Sequence, residues 1–326
     1  MAGNRKGEGP VMSFFLVTGG AGFIGSNLCE TLLSQGHKVR ILDNLVTGKT
    51  ENIKDFIETV EFARSDVRDQ AEVGRAVKGV DYVVHLAALG SVPRSVVDPA
   101  TTHDVNATGT LNILNAARLF GVKRVVYASS SSVYGDTPVL PKQEEMTPMP
   151  LSPYAVSKLT GEYYCKVFYK IYGLETVSLR YFNVYGKRQD PNSQYAAVIP
   201  KFISSLLRGE GPTVYGDGQQ TRDFTFVEDC NQANIKACFA PNCAGMAFNV
   251  GFGSRISIND LFGKIREKAG RDIKPVHTQS RKGDVRDSLA SIEKAKEFLS
   301  YRPEYNIDAG IEKTVRWYMG RDILSS

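Results

Sequence analysis

The feature that most limits how this chain can fold is a glycine-rich run, TGGAGFIG, at residues 18–25. An apolar stretch, Phe14 to Val17, comes directly before it, and a helical pattern containing Leu28 and Leu32 comes directly after it. Glycines three apart at a strand-to-helix turn let the backbone approach a pyrophosphate and leave the first helical N–H groups free to bind it. An isolated glycine-rich run also fits an ordinary tight turn, so the interpretation depends on the next strand of the chain.

That second strand pattern, Lys38 to Leu42, ends on an acidic residue. Asp43 lies 18 residues after Gly25, close to the roughly 20 residues expected for the acid that binds an adenosine ribose. A carboxylate there repels a 2′-phosphate, so the pattern favours NAD over NADP. We therefore predict a dinucleotide-binding turn at the start of the globular chain.

The composition is that of a soluble globular protein, with 326 residues of which 42% are hydrophobic. This length predicts one large domain or two closely associated ones. The net charge is 40 − 35 = +5 and the basic residues are dispersed, so nucleic acid is not an expected partner. The sequence contains no apolar run near the roughly 18 residues of a membrane span, so no membrane contact is expected.

The cysteines and the N-terminus indicate a cytoplasmic protein. The five cysteines form no Cys-x-x-Cys pair and the four histidines are distant in sequence, so we expect free buried thiols and no metal site. Met1–Pro10 is polar, and the apolar run after it is too short for a signal peptide. We expect residues 1–12 to be a flexible N-terminus, with Met12 as the natural start of the globular part.

Short β-branched runs alternate with amphipathic segments in the first half of the chain. The strand candidates are Phe14–Val17, Val39–Leu42, Val60–Arg64, Tyr82–Leu86, Arg124–Ala128 and Thr176–Leu179. The helix candidates are Gly22–Gln35, Ala71–Val77, Thr101–Phe120 and Pro153–Tyr172. This βαβ alternation predicts an α/β fold with a Rossmann-type, doubly wound parallel sheet.

After Asn183 the pattern changes to turn-rich segments and further helices. The candidates are a strand at Thr213–Tyr215 and helices at Val198–Arg208, Glu228–Phe239, Asn259–Ala269, Ile292–Leu299 and Ala309–Met319. We place an NAD-binding domain at residues 13–182 and a smaller mixed α/β domain mainly at 183–326, with some crossing of the chain between them. The cleft should lie at the carboxyl ends of the strands.

Tyr154 and Lys158 stand four residues apart in a predicted helix, behind Ser152 as N-cap and Pro153 as first helical residue. This spacing puts the phenol and the ammonium on one helix face. A neighbouring lysine and a cationic nicotinamide would both lower the pKa of the phenol, which would let tyrosine act as a general base. The alternative is a packed tyrosine beside a solvated lysine, which the dinucleotide turn makes less attractive.

A serine-rich string, Ser129 to Ser132, follows the fifth strand candidate. Hydroxyls at this strand end face the cofactor cleft and can hydrogen-bond a sugar hydroxyl. A plain serine-rich loop is the alternative. The string has no accompanying His/Asp set, so a nucleophilic hydrolase is disfavoured.

Together these motifs resemble the extended short-chain dehydrogenases/reductases, from about Phe14 to Met319. The matching residues are the glycine turn, Asp43, His85-Leu86-Ala87-Ala88, Asn106, the serine-rich strand end, Tyr154 and Lys158. Within that superfamily the chain is similar to nucleotide-sugar 4-epimerases, especially the bacterial enzymes that act on UDP-N-acetylglucosamine. The resemblance implies NAD as cofactor, a UDP-sugar as substrate, and a homodimer built on the helices around Thr101–Phe120 and Pro153–Tyr172.

The resemblance also assigns the cofactor and catalytic sites. The implied cofactor-binding residues are Gly19, Gly22, Phe23, Ile24, Gly25, Asp43, Asn44, Thr47, Gly48, Asp66, Val67, Leu86, Ala87, Ala88, Asn106, Tyr154, Lys158 and Tyr181. The implied catalytic residues are Ser130, Tyr154 and Lys158, with Ser130 as the substrate-hydroxyl partner of Tyr154. Related dehydratases and decarboxylases carry acidic residues just after this serine, where the present chain has Ser131 and Ser132, so elimination chemistry is disfavoured.

The substrate site falls mainly in the second half of the chain. The residues that the resemblance implies are Gly90, Ser91, Ser130, Ser131, Ser132, Tyr154, Asn183, Ala197, Val198, Tyr215, Arg222, Arg281, Asp284 and Ser288. Asn183, Arg222 and Arg281 would contact the diphosphate, for which forked guanidinium groups are well suited. Tyr215 would stack on uracil and Asp284 would bind the uridine ribose; the alternative for the two arginines is an ordinary surface charge.

Ser288 decides which sugars fit, according to the same resemblance. Related epimerases restricted to UDP-glucose and UDP-galactose have a bulky tyrosine here, beside carbon 2 of the sugar. A serine leaves room for an N-acetyl group, together with Gly90, Ser91 and Ala197. The implied reaction is the interconversion of UDP-GlcNAc and UDP-GalNAc, and secondarily UDP-glucose and UDP-galactose, by transient oxidation at carbon 4, rotation of the 4-keto sugar and hydride return. The alternatives are a UDP-glucuronate 4-epimerase, another nucleotide-sugar dehydrogenase of this type, and a non-catalytic NAD-binding protein.

Overall fold

Seven strands form one parallel sheet in the computed structural model, which describes residues 12–192, 197–279 and 286–320. Within those residues the strands are β1 (Phe14–Thr18), β2 (Lys38–Leu42), β3 (Glu61–Ala63), β4 (Tyr82–His85), β5 (Arg124–Ser130), β6 (Glu175–Tyr181), β7 (Val184–Tyr185), β8 (Thr213–Tyr215), β9 (Thr221–Arg222), β10 (Thr225–Phe226), β11 (Met246–Val250), β12 (Ile256–Ser257) and β13 (Val276–Thr278). The large sheet has the order β11-β6-β5-β4-β1-β2-β3. The predicted doubly wound α/β fold is confirmed.

Helices cover both faces of this sheet and form the body of the second half. They are α1 (Phe23–Ser34), α2 (Gln70–Val77), α3 (Val92–Val97), α4 (Pro99–His103), α5 (Gly109–Leu119), α6 (Pro153–Tyr172), α7 (Val198–Leu207), α8 (Val227–Phe239), α9 (Ile258–Ala269), α10 (Glu293–Leu299) and α11 (Ile307–Met319). Short 3₁₀ segments occur at Thr50–Asn52, Ile57–Thr59 and Ser131–Tyr134. Among the described helices, none is long and apolar enough to cross a membrane.

The sheet separates two apolar cores because neighbouring residues of a strand point to opposite faces. In β1, Phe15 and Val17 pack with side chains of α1 and α8. Leu16, between them, packs on the other face with side chains of α2, α5 and α6. A third core, which includes Phe202, Leu261 and Ile311, joins α7, α9 and α11.

The chain crosses back into the large sheet after leaving it. Beyond residue 183 it forms β7 and the small sheets, and then β11 pairs in parallel with β6, from Met246 opposite Val177 to Val250 opposite Tyr181. The helix before β11, α8, packs against α1. The large sheet and the helices packed on it therefore contain segments from both halves of the chain.

The helix predicted over Thr101–Phe120 is interrupted by a wider, π-type turn at Asp104–Thr108. This turn carries Asn106, whose side-chain oxygen accepts a hydrogen bond from the backbone N–H of Leu89 at 2.8 Å. Its amide group donates to the Ser157 hydroxyl on α6 at 3.0 Å. Sequence periodicity gave no sign of this turn, because a single wider turn of five residues is too short to change the pattern of a helix this long.

Two helical glycines differ in the space around them and provide a test of the packing. A Cβ at Gly161 of α6 would overlap the ring of the buried Tyr127, whereas a Cβ at Gly263 of α9 would meet no atom within 4 Å. We expect Gly161→Ala to lower the free energy of unfolding by about 1–3 kcal/mol through overpacking. Gly263→Ala should raise it by up to about 1 kcal/mol through helix propensity. Denaturant titration of both variants measures the difference, and equal effects would contradict the packing described here.

Candidate active site

A cavity of about 520 Å³ opens at the carboxyl ends of the central strands. It lies at the end of β1, which has β2 on one side and β4 on the other. The connections on the two sides of β1 run in opposite directions, which leaves a crevice at the strand ends. The predicted residues that line it are Gly19, Gly22, Phe23, Ile24, Gly25, Asp43, Asn44, Thr47, Val67, Leu86, Ala87, Ala88, Gly90, Ser130, Tyr154, Lys158, Tyr181 and Asn183. The structure thus brings most of the predicted cofactor site together.

The glycine turn forms one wall of this cavity. Gly19 has a φ of +69°, and a Cβ there would lie 2.8 Å from the backbone nitrogen of Ala87. A Cβ on Gly25 would overlap the carbonyl oxygen of Gly19. Gly22 caps α1 without a side-chain hydrogen bond, so the first N–H groups of the helix remain available to an anion. The turn therefore suits the pyrophosphate of a dinucleotide.

Asp43 lies at the far side of the turn with its carboxylate held in place. The carboxylate accepts backbone N–H groups from Ala21 at 3.0 Å and Leu45 at 2.8 Å. Burial raises the pKa of Asp43, and these two hydrogen bonds partly offset the effect. Gly48 does not line the cavity but packs against this carboxylate, where a Cβ would lie 2.8 Å from both oxygens. The arrangement fits an acid that receives ribose hydroxyl groups.

Other predicted residues support the cavity wall from behind. Asp66 accepts a hydrogen bond from the Asn44 amide at 2.8 Å and a forked pair from Arg68, which holds the pKa of Asp66 at about 2. Ser91 accepts the N–H of Arg94 and caps α3. Asn106 likewise acts through its hydrogen bond with Leu89.

The predicted set left out some residues that do line the cavity. They are Leu42, Val46, Ser65, Arg68, Leu89, Thr101, Val105, Ala128, Ser129, Val184 and Gln189. Arg68 had a local signal, since it follows Asp66 by two residues; Gln189 had none, because it reaches the cavity from a distant loop.

The catalytic candidates meet on α6 and at the end of β5. The predicted cap is present: the Ser152 hydroxyl accepts the N–H of Ala155 at 3.1 Å. The ammonium of Lys158 donates to the carbonyl oxygen of Ala128 at 2.8 Å and lies 6.0 Å from the centre of the Tyr154 ring. Ser130 and Tyr154 both line the first cavity, and hydrogen bonding by Ser130 acts to lower the pKa of Tyr154. These two hydroxyl groups are the candidates for proton transfer.

Burial controls the ionisation of this group. It raises the pKa of Tyr154, and the hydrogen bond from Ser130 offsets only part of that effect. Burial also lowers the pKa of Lys158 to about 8. Among the described residues, burial thus opposes ionisation of the phenol, and Lys158 is not among the groups that lower the pKa of Tyr154.

A second cavity, of about 250 Å³, adjoins the first, and Asn183 and Val184 line both. Predicted substrate residues that line it are Ala197, Val198, Tyr215 and Arg222. Two predictions, Arg281 and Asp284, fall outside the described residues. Ser131 and Ser132 lie in the 3₁₀ turn after β5 and do not line either of these cavities.

Asn183 lines both cavities, and its amide contacts Ser288, a predicted substrate residue that lines neither of them. The Asn183 amide donates to the Asp223 carbonyl oxygen at 2.7 Å and to the Ser288 hydroxyl at 3.2 Å. A flipped side chain would put two oxygens at 2.7 Å, so this orientation of the amide is fixed. Both amide hydrogens are used, which leaves an oxygen acceptor. Asn183 in this arrangement suits a hydroxyl or N–H of the substrate better than a diphosphate.

The fold and this site define an NAD-binding enzyme of the dehydrogenase/reductase type. The NAD dependent epimerase/dehydratase family model matches residues 15–251, and the chain belongs to that family. NAD is its cofactor, and it is an isomerase of the nucleotide-sugar 4-epimerase type.

Known proteins resemble the chain over nearly its full length. A putative UDP-glucose 4-epimerase from Methanocaldococcus jannaschii is 41% identical over 305 residues, which is 93% of this chain and 97% of the relative. The structure of a UDP-N-acetylglucosamine 4-epimerase from Methanobrevibacter ruminantium M1, in complex with UDP-N-acetylmuramic acid, is 41% identical with a TM-score of 0.91, covering 94% and 98% of the two chains. That of the Thermus thermophilus UDP-glucose 4-epimerase, in complex with NAD, is 39% identical with a TM-score of 0.87, covering 94% and 99%.

Removal of the Tyr154 hydroxyl tests its role as the general base. We expect Tyr154→Phe to lower kcat by about 10²–10⁴-fold, the usual contribution of a positioned acid–base group. Bound NAD should be retained, because the glycine turn and Asp43 are unchanged. Tyr164→Phe, which removes a phenol from the same helix outside the cavity, is the control. Near-normal turnover by Tyr154→Phe would refute the assignment.

Proposed function

We propose that the protein is an NAD-dependent UDP-hexose 4-epimerase that interconverts UDP-GlcNAc and UDP-GalNAc, with UDP-glucose and UDP-galactose as secondary substrates. The observation that carries the N-acetyl preference is the contact of the small Ser288 with Asn183, the residue that lines both cavities. A serine leaves space next to the sugar, and the free oxygen of Asn183 can accept the N–H of an N-acetyl group.

Tyr154 and Ser130 move the proton of the sugar 4-hydroxyl in this proposal. Tyr154 accepts it, with Ser130 as the hydrogen-bonded link to the substrate, and gives it back after the sugar has turned. Bound NAD supplies the acceptor and donor of hydride for carbon 4. Since burial raises the pKa of Tyr154, the positive charge of the oxidised nicotinamide is needed to favour the phenolate. The ionised fraction of Tyr154, which is the form that can accept a proton, is then largest when the cofactor is oxidised.

The second cavity holds the nucleotide while the sugar turns. Arg222 lines this cavity, and its guanidinium donates to the carbonyl oxygens of Thr221 and Arg286 at 2.9 Å. A guanidinium held in this way keeps its charge in a fixed place for a diphosphate. Tyr215 also lines this cavity, where it would stack on the base.

Separate incubations with UDP-GlcNAc, UDP-glucose and UDP-glucuronate, without added NAD, test the proposed function. We expect UDP-GalNAc to form faster than UDP-galactose, with chromatography as the readout. Product from UDP-glucuronate alone would replace this proposal with a glucuronate epimerase. Absence of product from all three, after NAD is supplied, would favour a non-catalytic role.

A bulky residue at Ser288 should close the sugar pocket. We expect Ser288→Tyr to lower kcat/KM for UDP-GlcNAc by at least about tenfold, a loss of 1.4 kcal/mol in transition-state binding, and to spare UDP-glucose. Ser288→Ala keeps the space and loses only the hydroxyl, so it should retain both activities. Equal losses of activity on both sugars in Ser288→Tyr would contradict a role of Ser288 in sugar selection.

We also propose that the protein is a homodimer whose interface includes α6. Val156, Tyr163, Val167 and Ile171 form an exposed apolar stripe along that helix, each 43% or more exposed. Val96 and Val97 of the neighbouring α3 extend it. A stripe of this kind is expected to be covered by another protein surface, and a second copy supplies the same apolar helix.

A charge placed in this stripe should separate the subunits. We expect Tyr163→Glu to shift the sedimentation coefficient from that of a dimer to that of a monomer. Val276→Glu, at an exposed valine on β13, is the matched control and should remain dimeric. A dimer in both variants would place the interface elsewhere.

A further inference from the structure

A buried ion pair lies directly behind the catalytic hydroxyl groups. Arg180 of β6 donates to both carboxylate oxygens of Glu162 on α6, at 2.9 and 2.8 Å. The two side chains are only 5% and 8% exposed. Such a pair loses much hydration energy when it is buried, so an apolar pair of the same volume is often as stable or more stable. Since stability alone does not explain the ion pair, we ask which side chains it holds in place.

Ser129 connects this ion pair to the active site. Its hydroxyl donates to the same Glu162 oxygen that receives the Nε of Arg180. Ser129 directly precedes Ser130, the partner of Tyr154. Glu162 follows Tyr154 and Lys158 on α6, so a single carboxylate joins the helix that bears the base to the strand end that bears its partner.

Arg180 extends the contact to the turn after β5. The third nitrogen of its guanidinium, Nη1, donates to the Tyr134 hydroxyl at 2.9 Å, and the guanidinium carbon lies 4.8 Å from the centre of that ring. The Tyr134 hydroxyl in turn donates to Asn249 of β11 at 2.7 Å. The 3₁₀ turn that ends at Tyr134 begins immediately after Ser130, so Ser130 is held from both sides in the sequence.

We propose that Glu162 and Arg180 are positioning residues that act through Ser129 to hold Ser130 within hydrogen-bond reach of Tyr154. The proposal rests on the proposed proton transfer between these two hydroxyl groups. Neither Glu162 nor Arg180 lines the two cavities, and Ser129, which lines the first, has its hydroxyl bonded to Glu162, so the substrate and NAD contacts should be largely kept when the link is lost. Loss of the link should therefore lower the rate of the chemical step, measured as kcat.

Ser129→Ala is the sharpest test, because it removes one hydroxyl and leaves the ion pair paired. We expect kcat per NAD-loaded site to fall about tenfold, with KM for the UDP-sugar changed less than twofold. Thr176→Val is the matched control: it removes a buried hydroxyl of β6 that donates to the Cys165 carbonyl oxygen at 2.8 Å, away from the site, and should keep kcat. A kcat within twofold of the wild type in Ser129→Ala would overturn the proposal.

Glu162→Gln and the double variant Ser129→Ala/Glu162→Gln show whether the two residues act as one unit. The double variant should lose no more kcat than the worse single variant, whereas multiplied losses would overturn the link. Ultraviolet titration of Tyr154, taken as the difference from Tyr154→Phe, needs no turnover. Tyr154 should titrate at higher pH in Ser129→Ala, because the hydrogen bond that favours its phenolate is loosened. An unchanged titration would reject the positioning role even if the sugar substrate had been assigned wrongly.

Discussion

The close approach of backbone to backbone between β1 and α1 is the constraint on which the rest of the cleft depends. Gly19 and Gly25 leave no space for a side chain, because each would meet main-chain atoms. The helix therefore starts directly above the strand end, and the segment after β4, Leu86 and Ala87, passes beside Gly19. The distances from this turn to Asp43, to the wall of β4 and to the hydroxyl groups of β5 are all set by it.

Burial and hydrogen bonding have different effects on the catalytic group. Enclosure disfavours both charged forms, the phenolate of Tyr154 and the ammonium of Lys158. The carbonyl oxygen of Ala128 gives the ammonium a fixed partner, which keeps the lysine in one position. A site of this kind is arranged in advance, so that little rearrangement is needed when charge appears.

Local signals in the sequence were sufficient for much of the fold. The helix Pro153–Tyr172 was predicted with both of its ends, and Ser152 and Pro153 gave its start; the structure shows that Gly173, in a left-handed conformation, ends it. The glycine turn and Asp43 were predicted for the same reason: short-range spacing determines them. β11 was missed, since a strand of five residues has little pattern and its partner lies about 70 residues earlier. The orientation of the Asn183 amide also escaped prediction, because it depends on Asp223 and Ser288, which only the tertiary fold brings close.

The late return of the chain into the large sheet has a consequence for biosynthesis. β6 lacks its outer neighbour until residues 246–250 have been made, and it exposes an unpaired edge until then. A ribosome adding about 5–20 residues per second would leave that edge open for several seconds. Open edges invite pairing with other chains, so the nascent protein passes through an interval in which it depends on protection from aggregation.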